Sequence, residues 1–211
     1  MNITHATVER IEGDKLEAIF NRQKSLMEKY HDIEARSGLC QTEDCPVNLD
    51  DKRGQARIKD FAWRVTEEVG EALDAWVAND FEHYCEELID GLHFLTELTI
   101  LAGLEPNDVV SLDNLSGDRL DILRDKGLVE DPVLTKLERF VMNLGMTCNC
   151  LKNKPWKQTN MITDKEHFRS QLVKTWYSYI GLIGGSLSAE EIALVYLKKS
   201  QVNQFRQRSG Y

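Results

Sequence analysis

Two long helix-like segments with one turn signal between them constrain the fold of this chain most strongly. Apolar residues recur at helical spacing over about 51–78 and again over about 81–102, and Asn79-Asp80 is the turn candidate between them. If two antiparallel helices reverse at this turn, facing residues have numbers that sum to twice 79. The sequence therefore predicts an antiparallel helix pair with a defined register.

Four carboxylates lie on this pair, at Glu68, Glu71, Glu87 and Asp90. Residues three apart share a helix face, and the register places Glu68 opposite Asp90 and Glu71 opposite Glu87. Converging carboxylates repel each other and lose hydration, which a hard divalent cation between them relieves. Oxygen ligands of this kind suit Mg²⁺ or Mn²⁺. A metal site is the favoured interpretation, and a solvated acidic helix face is the alternative.

The rest of the chain also has helical patterning. Further helices are predicted at about 14–36, 117–126, 131–151, 163–184 and 188–205, with a loop over 37–49. Asp131-Pro132, Thr163-x-x-Glu166 and Ser188-x-x-Glu191 are read as helix starts. There is no convincing strand pattern, and only four prolines occur in 211 residues. We expect an all-α helical bundle forming a single domain over residues 1–211.

Charge and hydropathy limit the partners. The chain has 26 Lys and Arg against 35 Asp and Glu, a formal net charge of −9, which disfavours nucleic acids and anionic membranes. No apolar run approaches the roughly 20 residues that span a bilayer. The N-terminal segment lacks a secretory pattern. We expect a cytoplasmic protein without a membrane or nucleic-acid partner; a small polyphosphate remains compatible, because bound cations invert the local field.

The five cysteines leave two interpretations open. Cys40 with Cys45 and Cys148 with Cys150 could bind zinc, although neither pair has the two-residue spacing of a zinc ribbon, and Cys85 is separate. Reduced thiols are the favoured interpretation, because the count is odd and the chain is long enough for an ordinary core.

Three further groups are candidates for substrate contact. His93 and Phe94 follow Asp90 on the acidic helix and, with Trp76, could offer a stacking surface to a flat base; core positions are the alternative. Lys152, Lys154 and Lys157 surround Pro155-Trp156 and could contact phosphates as point charges, or simply form a solvated loop. The basic C-terminal residues from 198 onward follow an amphipathic helix, and composition alone predicts a frayed basic tail there.

Four segments of the sequence carry a family resemblance. They read EEVGE at 67–71 with ELID at 87–90, His-Phe at 93–94, LKNKPWKQT at 151–159 and KSQVNQFRQRSGY at 199–211. Together they resemble the dimeric all-α dUTPases, a branch of the all-α NTP pyrophosphatases that also includes MazG-like proteins and phage dCTPase–dUTPases. The similarity runs from Gln23 to the last residue. It implies a bundle of that fold type and a homodimer, and it is compatible with a phage-encoded protein acting in a host cytoplasm.

The resemblance assigns roles residue by residue. The carboxylates would hold two or more Mg²⁺ ions, for which Mn²⁺ could substitute, and Glu68 would activate the attacking water. The base and sugar would lie in a pocket formed by Gln23, Trp76, His93, Phe94 and Asn203. The C-terminal part of the chain, from about residue 150, would close over the phosphates. The contacts would come from Lys199, Arg206 and Tyr211, with Lys157 and Lys174 as weaker candidates.

The expected activity is Mg²⁺-dependent conversion of dUTP to dUMP and pyrophosphate. Two departures from the family pattern bear on base choice: Met27 stands where an Asn is usual, and Arg208-Ser209 replaces an acidic residue and a His. The alternatives are a dCTP-directed or broader MazG-like pyrophosphatase and a catalytically silent nucleotide-binding dimer. The intact set of four carboxylates argues against silence. The sequence leaves open whether water attacks the α or the β phosphorus.

Overall fold

The computed structural model describes residues 11–113, 115–127 and 131–208, with the side chains of 207 and 208 excepted. These residues form eight helices and contain no strand, so the all-α prediction is confirmed. The helices are α1 (Lys15–Ser37), α2 (Lys52–Val77), α3 (Phe81–Leu101), α4 (Pro106–Val109), α5 (Arg119–Lys126), α6 (Val133–Cys150), α7 (Lys165–Ile183) and α8 (Ala189–Arg208). No helix of the described part of the chain is long and apolar enough to cross a membrane.

The α2–α3 pair forms at the predicted turn. Asp51 caps α2 by accepting hydrogen bonds from the backbone N–H groups of Arg53 and Gly54, which otherwise lack helical partners. Asn79 adopts a left-handed conformation with φ of 59°, which Asn tolerates better than most residues. Asp80 then caps α3. Short polar side chains therefore define both helix starts and the reversal between them.

Contacts along the pair agree with the predicted antiparallel register. Near the turn, the rings of Trp76 and Tyr84 have centroids 5.1 Å apart. At the far end, the rings of Phe61 and Phe94 lie 6.2 Å apart. Between these two contacts, α2 and α3 place their acidic residues on adjoining faces.

α3 is the central helix of the bundle. It packs against α1, α2, α7 and α8, while α6 pairs with α7 and α1 pairs with α8. Buried apolar side chains from all eight helices form one cluster. Their removal from water provides the main driving force for this arrangement. This packing fixes the polar positions of α3 relative to the four helices around it.

Gly91 lets α7 approach α3 closely. The buried hydroxyl of Tyr179 donates a hydrogen bond of 2.7 Å to the Leu88 carbonyl. A Cβ atom at residue 91 would lie 2.2 Å from that hydroxyl oxygen, well inside contact distance. The same Cβ position is 3.4 Å from the Cβ of Glu68. Gly91 therefore lies where α2, α3 and α7 meet, directly behind the acidic residues.

Two predicted helix starts were wrong in detail. Pro132, rather than Asp131, occupies the N-cap position of α6, and Asp131 instead forms an ion pair of 2.6 Å with Arg139. Thr163 does not cap α7: its hydroxyl is buried and donates to the Leu49 carbonyl, and Asp164 is the cap. In both cases a tertiary contact uses the side chain that local pattern had assigned to the cap.

The local structure around α8, α3 and α4 shows where short sequence signals suffice and where they do not. Ser188 and Glu191 form the predicted reciprocal hydrogen bonds before α8, so this capping box is confirmed. Gly103 follows α3 with a φ of 78°, a left-handed conformation that glycine adopts readily after a helix. The four-residue helix α4, opened by Pro106, was not predicted, because so short a segment shows no periodicity.

Candidate metal and substrate site

Three of the four predicted carboxylates converge. Glu68, Glu71 and Glu87 each offer a carboxylate oxygen, and these oxygens all lie within 4.8 Å of one another. Glu68 is half-buried, Glu71 is exposed and Glu87 is buried, so the cluster opens to solvent on the Glu71 side. No other group of three or more His, Cys, Asp or Glu residues in the described ranges has such a geometry. This acidic cluster has the oxygen donors and the spacing that a divalent cation requires.

The acidic cluster is electrostatically unfavourable as an isolated set of charges. The pKa of Glu68 is raised to about 8, first by burial, then by the hydrogen bond with Glu87 and by the charges of Asp90, Glu87 and Glu71. Neighbouring carboxylates favour either a bound proton or a bound cation. The residues present therefore fit a divalent metal ion, which would neutralise the charges that otherwise oppose one another.

Asp90 has a different partner. Its carboxylate lies 2.7 Å from the ammonium group of Lys199 on α8, which is also 3.8 Å from Glu86. Burial raises the pKa of Asp90, and the positive charge of Lys199 opposes this rise. The structure thus places Asp90 beside the acidic cluster with its charge compensated by a lysine.

His83 also contacts the acidic cluster, and the sequence analysis did not identify it. Its Nε2 atom lies 2.6 Å from a carboxylate oxygen of Glu87, one helical turn later on α3. A histidine beside a metal-binding carboxylate orients that carboxylate. The sequence signal was a His four residues before an acidic residue on the same helix.

One side of α8 lies along the acidic face of α3. Tyr196 stacks on His93 with ring centroids 3.7 Å apart, and Lys199 pairs with Asp90. The two helices are therefore antiparallel here. Continuing the same register brings Asn203 level with Glu86 and Arg206 level with His83, since residues three to four apart share a helix side. This register leads us to expect Asn203 and Arg206 to follow Lys199 along the acidic face.

A buried hydrogen-bond network lies on the other side of Asp90, away from the acidic cluster. The side-chain amide of Gln23 donates a hydrogen bond of 2.9 Å to Glu97. Its oxygen accepts one of 2.7 Å from the Tyr196 hydroxyl and lies 3.0 Å from Nδ1 of His93. The predicted residues Gln23 and His93 are brought together, and Glu97 and Tyr196 complete the network.

Burial sets the protonation of this network. It lowers the pKa of His93 to about 3, helped by the charge of Lys199, so the ring is neutral near pH 7. Burial also raises the pKa of Glu97 to about 7, with Glu34 next in importance. Nε2 of His93 is buried and has no hydrogen-bond partner in the described part of the chain. A cavity of about 440 Å³, lined in part by Met27 and Glu97, adjoins the network.

Two predicted stacking residues do not join His93. Phe94 lies on the α2 side of α3, where the guanidinium of Arg64 lies 5.9 Å from its ring centroid. Trp76 packs on Tyr84 beside the α2–α3 turn. Tyr84 is nine residues before His93, which corresponds to about 14 Å along the helix. The structure therefore separates Trp76 from the network of Gln23 and His93.

The remaining predicted phosphate contacts are also apart from the acidic cluster. The carbonyl of Lys157 accepts a hydrogen bond from Lys52, which lies 16 residues, or about 24 Å of helix, from Glu68. Lys174 lines a separate cavity of about 200 Å³, shared with Lys126, Lys136 and Arg139. Tyr211 lies outside the described residues. The structure thus brings Lys199 to the acidic face, but not Lys157 or Lys174.

The zinc alternative gains no support. All five cysteines are free, and none belongs to a group of metal-ligand geometry within the described ranges. Cys40 instead contacts the guanidinium of Arg57 and donates to the Thr42 carbonyl.

Fold and site together define an all-helical protein with a carboxylate-rich candidate metal centre and a buried polar network one to two turns away. The family model for dUTPase matches residues 65–211, which is most of the chain. The chain therefore belongs to the dUTPase family of the all-α type and is an enzyme of the dUTP diphosphatase class. No curated protein and no solved structure gives a significant match.

Proposed function

We propose that this enzyme hydrolyses dUTP to dUMP and pyrophosphate with Mg²⁺ held at the acidic cluster. The observation that carries the proposal is the convergence of three carboxylate oxygens within 4.8 Å, on the helix pair that the family match includes. Family membership supports pyrophosphatase activity on dUTP or related deoxynucleotides. The choice of metal and of base is the further step proposed here.

The metal ligands would be Glu68, Glu71 and Glu87, with Asp90 joining them when Lys199 moves to substrate. These residues would hold two or more Mg²⁺ ions, or Mn²⁺ in their place, which would supply neutralisation of the phosphate charges. His83 orients Glu87 through the 2.6 Å contact. Glu68 accepts the proton of the attacking water, and its raised pKa reflects a carboxyl group with increased proton affinity.

Lys199, Asn203 and Arg206 are proposed to bind the phosphates from the α8 side. Their common side of α8 follows the acidic face of α3, and Lys199 already compensates a carboxylate there. Charge-assisted contacts from ammonium and guanidinium groups to phosphate oxygens are strong enough to hold the chain terminus in place. Tyr211 is proposed to complete this closure.

The base is proposed to lie beside the network of Gln23, His93 and Tyr196. Measured along α3, His93 is three residues, or about 5 Å, from Asp90. This separation suits a nucleotide whose phosphates reach the acidic cluster while its base reaches the network. Phe94 and Trp76 remain candidates for stacking only if the surrounding side chains rearrange.

A homodimer is also proposed, and one side of α6 supports it. Exposed apolar side chains occur there at Leu134, Val141, Met142 and Met146. These apolar side chains share one side of α6 with the exposed Glu138, and exposed apolar groups of this kind are compatible with an interface. The separation of Lys157 and Lys174 from the acidic cluster within one chain is compatible with a role at such an interface.

The test is product analysis over a substrate panel. Wild-type protein is incubated with dUTP, dCTP, dTTP, dATP, dGTP or UTP, in Mg²⁺ or in chelator, and the monophosphate and pyrophosphate are separated by chromatography. We expect dUTP to have the highest kcat/KM, with weaker use of dCTP or dTTP and little use of UTP. A purine deoxynucleotide ranked first would favour the MazG-like alternative, and full activity in chelator would contradict the metal assignment.

A further inference from the structure

Both ends of the Gln23 amide are engaged inside the protein. Its nitrogen donates to Glu97 over 2.9 Å. Its oxygen accepts from the Tyr196 hydroxyl and faces Nδ1 of His93. All four residues of this network are at least nine-tenths buried: Gln23, His93, Tyr196 and Glu97. Water therefore does not compete for these hydrogen bonds. The orientation of this amide therefore depends on the chemistry of its neighbours.

An ionised carboxylate accepts hydrogen bonds and cannot donate them. Glu97 in its charged form therefore holds the nitrogen of the Gln23 amide towards itself and the oxygen towards His93. Since an amide oxygen only accepts, the proton of the neutral His93 ring belongs on Nδ1. Nε2 is then a bare acceptor, in agreement with its lack of a partner in the described part of the chain.

Two hydrogen-bonding positions remain for a ligand. Gln23 keeps a second N–H that donates to no described residue, and His93 keeps the Nε2 lone pair. One donor and one acceptor match the groups of an imide edge, which has a carbonyl oxygen beside an N–H. Uracil and thymine have that edge. Cytosine has the reverse order, an amino group beside a bare ring nitrogen, and would leave buried groups unpaired.

We propose that Glu97 is a positioning residue for base recognition: its carboxylate orients the Gln23 amide and thereby sets the His93 tautomer, so that the pair selects an imide edge over the cytosine edge. This inference rests on the proposed hydrolysis of a pyrimidine deoxynucleotide at the neighbouring acidic cluster. The nearest carboxylate of that cluster, Glu87, is ten residues earlier on α3.

Protonation of Glu97 would release the constraint. A neutral carboxyl group can donate to the amide oxygen, which allows the amide to turn over and His93 to change tautomer. The pKa of about 7 places this change near neutrality, because burial disfavours the charged form. The titratable and charged groups around Glu97 are Glu34 on α1, Arg57 and Arg64 on α2, His93 on α3, Cys45 in the loop before α2, and Tyr196 on α8.

The main experiment compares Glu97→Gln with Glu28→Gln. Both substitutions remove a carboxylate from the same cavity, but Glu28 is exposed and outside the network. For Glu97→Gln, we expect the ratio of kcat/KM for dUTP to that for dCTP to fall about 10- to 100-fold, the range of one mispaired buried hydrogen bond. Glu28→Gln should keep the wild-type ratio. An unchanged ratio in Glu97→Gln, including an equal loss for both substrates, would overturn the proposal.

Two readouts separate positioning from general structural support. Nitrogen chemical shifts of ¹⁵N-labelled histidine should assign His93 as the Nδ1–H tautomer in wild type at pH 8.5 and as a mixed or reversed tautomer in Glu97→Gln. The dUTP-to-dCTP ratio of wild type should decrease as the pH falls from about 8.5 to 6, because Glu97 becomes protonated, and should stay flat in Glu97→Gln. An Nε2–H tautomer in wild type at pH 8.5 would contradict the proposal.

Binding of non-hydrolysable analogues makes the inference independent of turnover. Calorimetry with the α,β-imido forms of dUTP and dCTP gives the ratio of Kd values for wild type and Glu97→Gln. If wild type does not hydrolyse dUTP but still binds its analogue more tightly, and loses that preference in Glu97→Gln, the proposed function fails and the recognition role stands. If wild type shows no preference between the analogues, the recognition role fails.

Discussion

At the scale of single residues, the acidic cluster is a place where like charges are held together by the fold. The pKa of Glu68 is raised to about 8, chiefly by burial, with the hydrogen bond to Glu87 next. The carboxylate of Asp90 is instead compensated by its ion pair with Lys199. Three residues on two helices therefore retain an unfavourable arrangement that a cation would relieve, which is expected of a functional site rather than of a stabilising one.

The raised pKa of Glu68 predicts that the stability of the protein decreases as the pH rises. Its folded pKa is above the unfolded value, so the native state binds more protons between about pH 4.5 and 8, and stability must fall as the pH rises through that window. Because the carboxyl group is half-exposed, we expect a loss of only about 1–2 kcal/mol. Urea unfolding in chelator at pH 6 and pH 8.5 measures it. Glu68→Gln should lose less than wild type over this interval.

The pKa of Glu97 is also raised, to about 7, so its ionisation likewise lowers stability as the pH rises. Glu68→Gln should therefore keep the part of the pH-dependent loss of stability that Glu97 causes. The difference between wild type and Glu68→Gln isolates the contribution of Glu68. Identical pH dependence in the two proteins would show that Glu68 is not strained by its neighbours. Saturating Mg²⁺ should raise the stability of wild type at pH 8.5, because a ligand that binds only the native state stabilises it.

At the scale of helices, the close contact of α3 and α7 determines how the acidic residues are supported. Gly91 leaves room for the Tyr179 hydroxyl, which bonds to the Leu88 carbonyl. Any side chain at residue 91 would push α7 away from the back of the acidic cluster. The contact thus connects the packing of the bundle to the geometry of the site.

Gly91→Ala should destabilise the protein. Alanine in place of glycine favours a helix by about 1 kcal/mol, but overpacking against a buried ring costs about 1–3 kcal/mol and the lost hydrogen bond about 1 kcal/mol. The net expectation is a loss of about 1–3 kcal/mol in the free energy of unfolding. The matched test is the double-mutant cycle with Tyr179→Phe, which removes the clashing atom. Simple additivity of the two substitutions would contradict the proposed clash.

Contacts within the α2–α3 pair could be predicted from the sequence, whereas contacts between distant segments could not. The α2–α3 register follows from one turn and a helical period, which are local signals, so Glu68, Glu71 and Glu87 could be placed together in advance. The recognition network joins Gln23 to His93, 70 residues away, and to Tyr196, 173 residues away. No local pattern specifies such partners, so Glu97 and Tyr196 were missed. Trp76 was grouped with His93 as a stacking residue, although it packs on Tyr84 near the turn.

At the scale of the whole molecule, α8 connects the chain terminus to the site. It contacts His93 and Asp90 of α3 through Tyr196 and Lys199, and packs along α1 as well. Base recognition and phosphate binding are therefore proposed to share one helix. The exposed apolar side of α6 faces away from the bundle core and is the proposed contact between two copies of the chain.

Dimerisation through α6 can be tested by a single substitution that places a charge on its exposed apolar side. Met142 is 71% exposed on that side, so Met142→Glu should leave the fold intact and place a carboxylate in the interface, which opposes association. Size-exclusion chromatography with light scattering should give a dimer mass for wild type and a monomer mass for this variant. Ile162→Glu, at a still more exposed apolar residue away from α6, is the control and should remain dimeric. A dimeric Met142→Glu protein would exclude this side of α6 as the interface.

The central claim is that the acidic cluster performs the chemistry, and two neighbouring residues of α2 test it most directly. Glu71 belongs to the acidic cluster, whereas Glu67 accepts a hydrogen bond from Trp63 and is outside it. Mg²⁺-dependent release of pyrophosphate from dUTP is measured for Glu71→Gln and Glu67→Gln. The account predicts that kcat/KM falls by about 100-fold or more in Glu71→Gln, as the loss of a metal ligand requires, and changes little in Glu67→Gln. Equal activity of the two variants would contradict it.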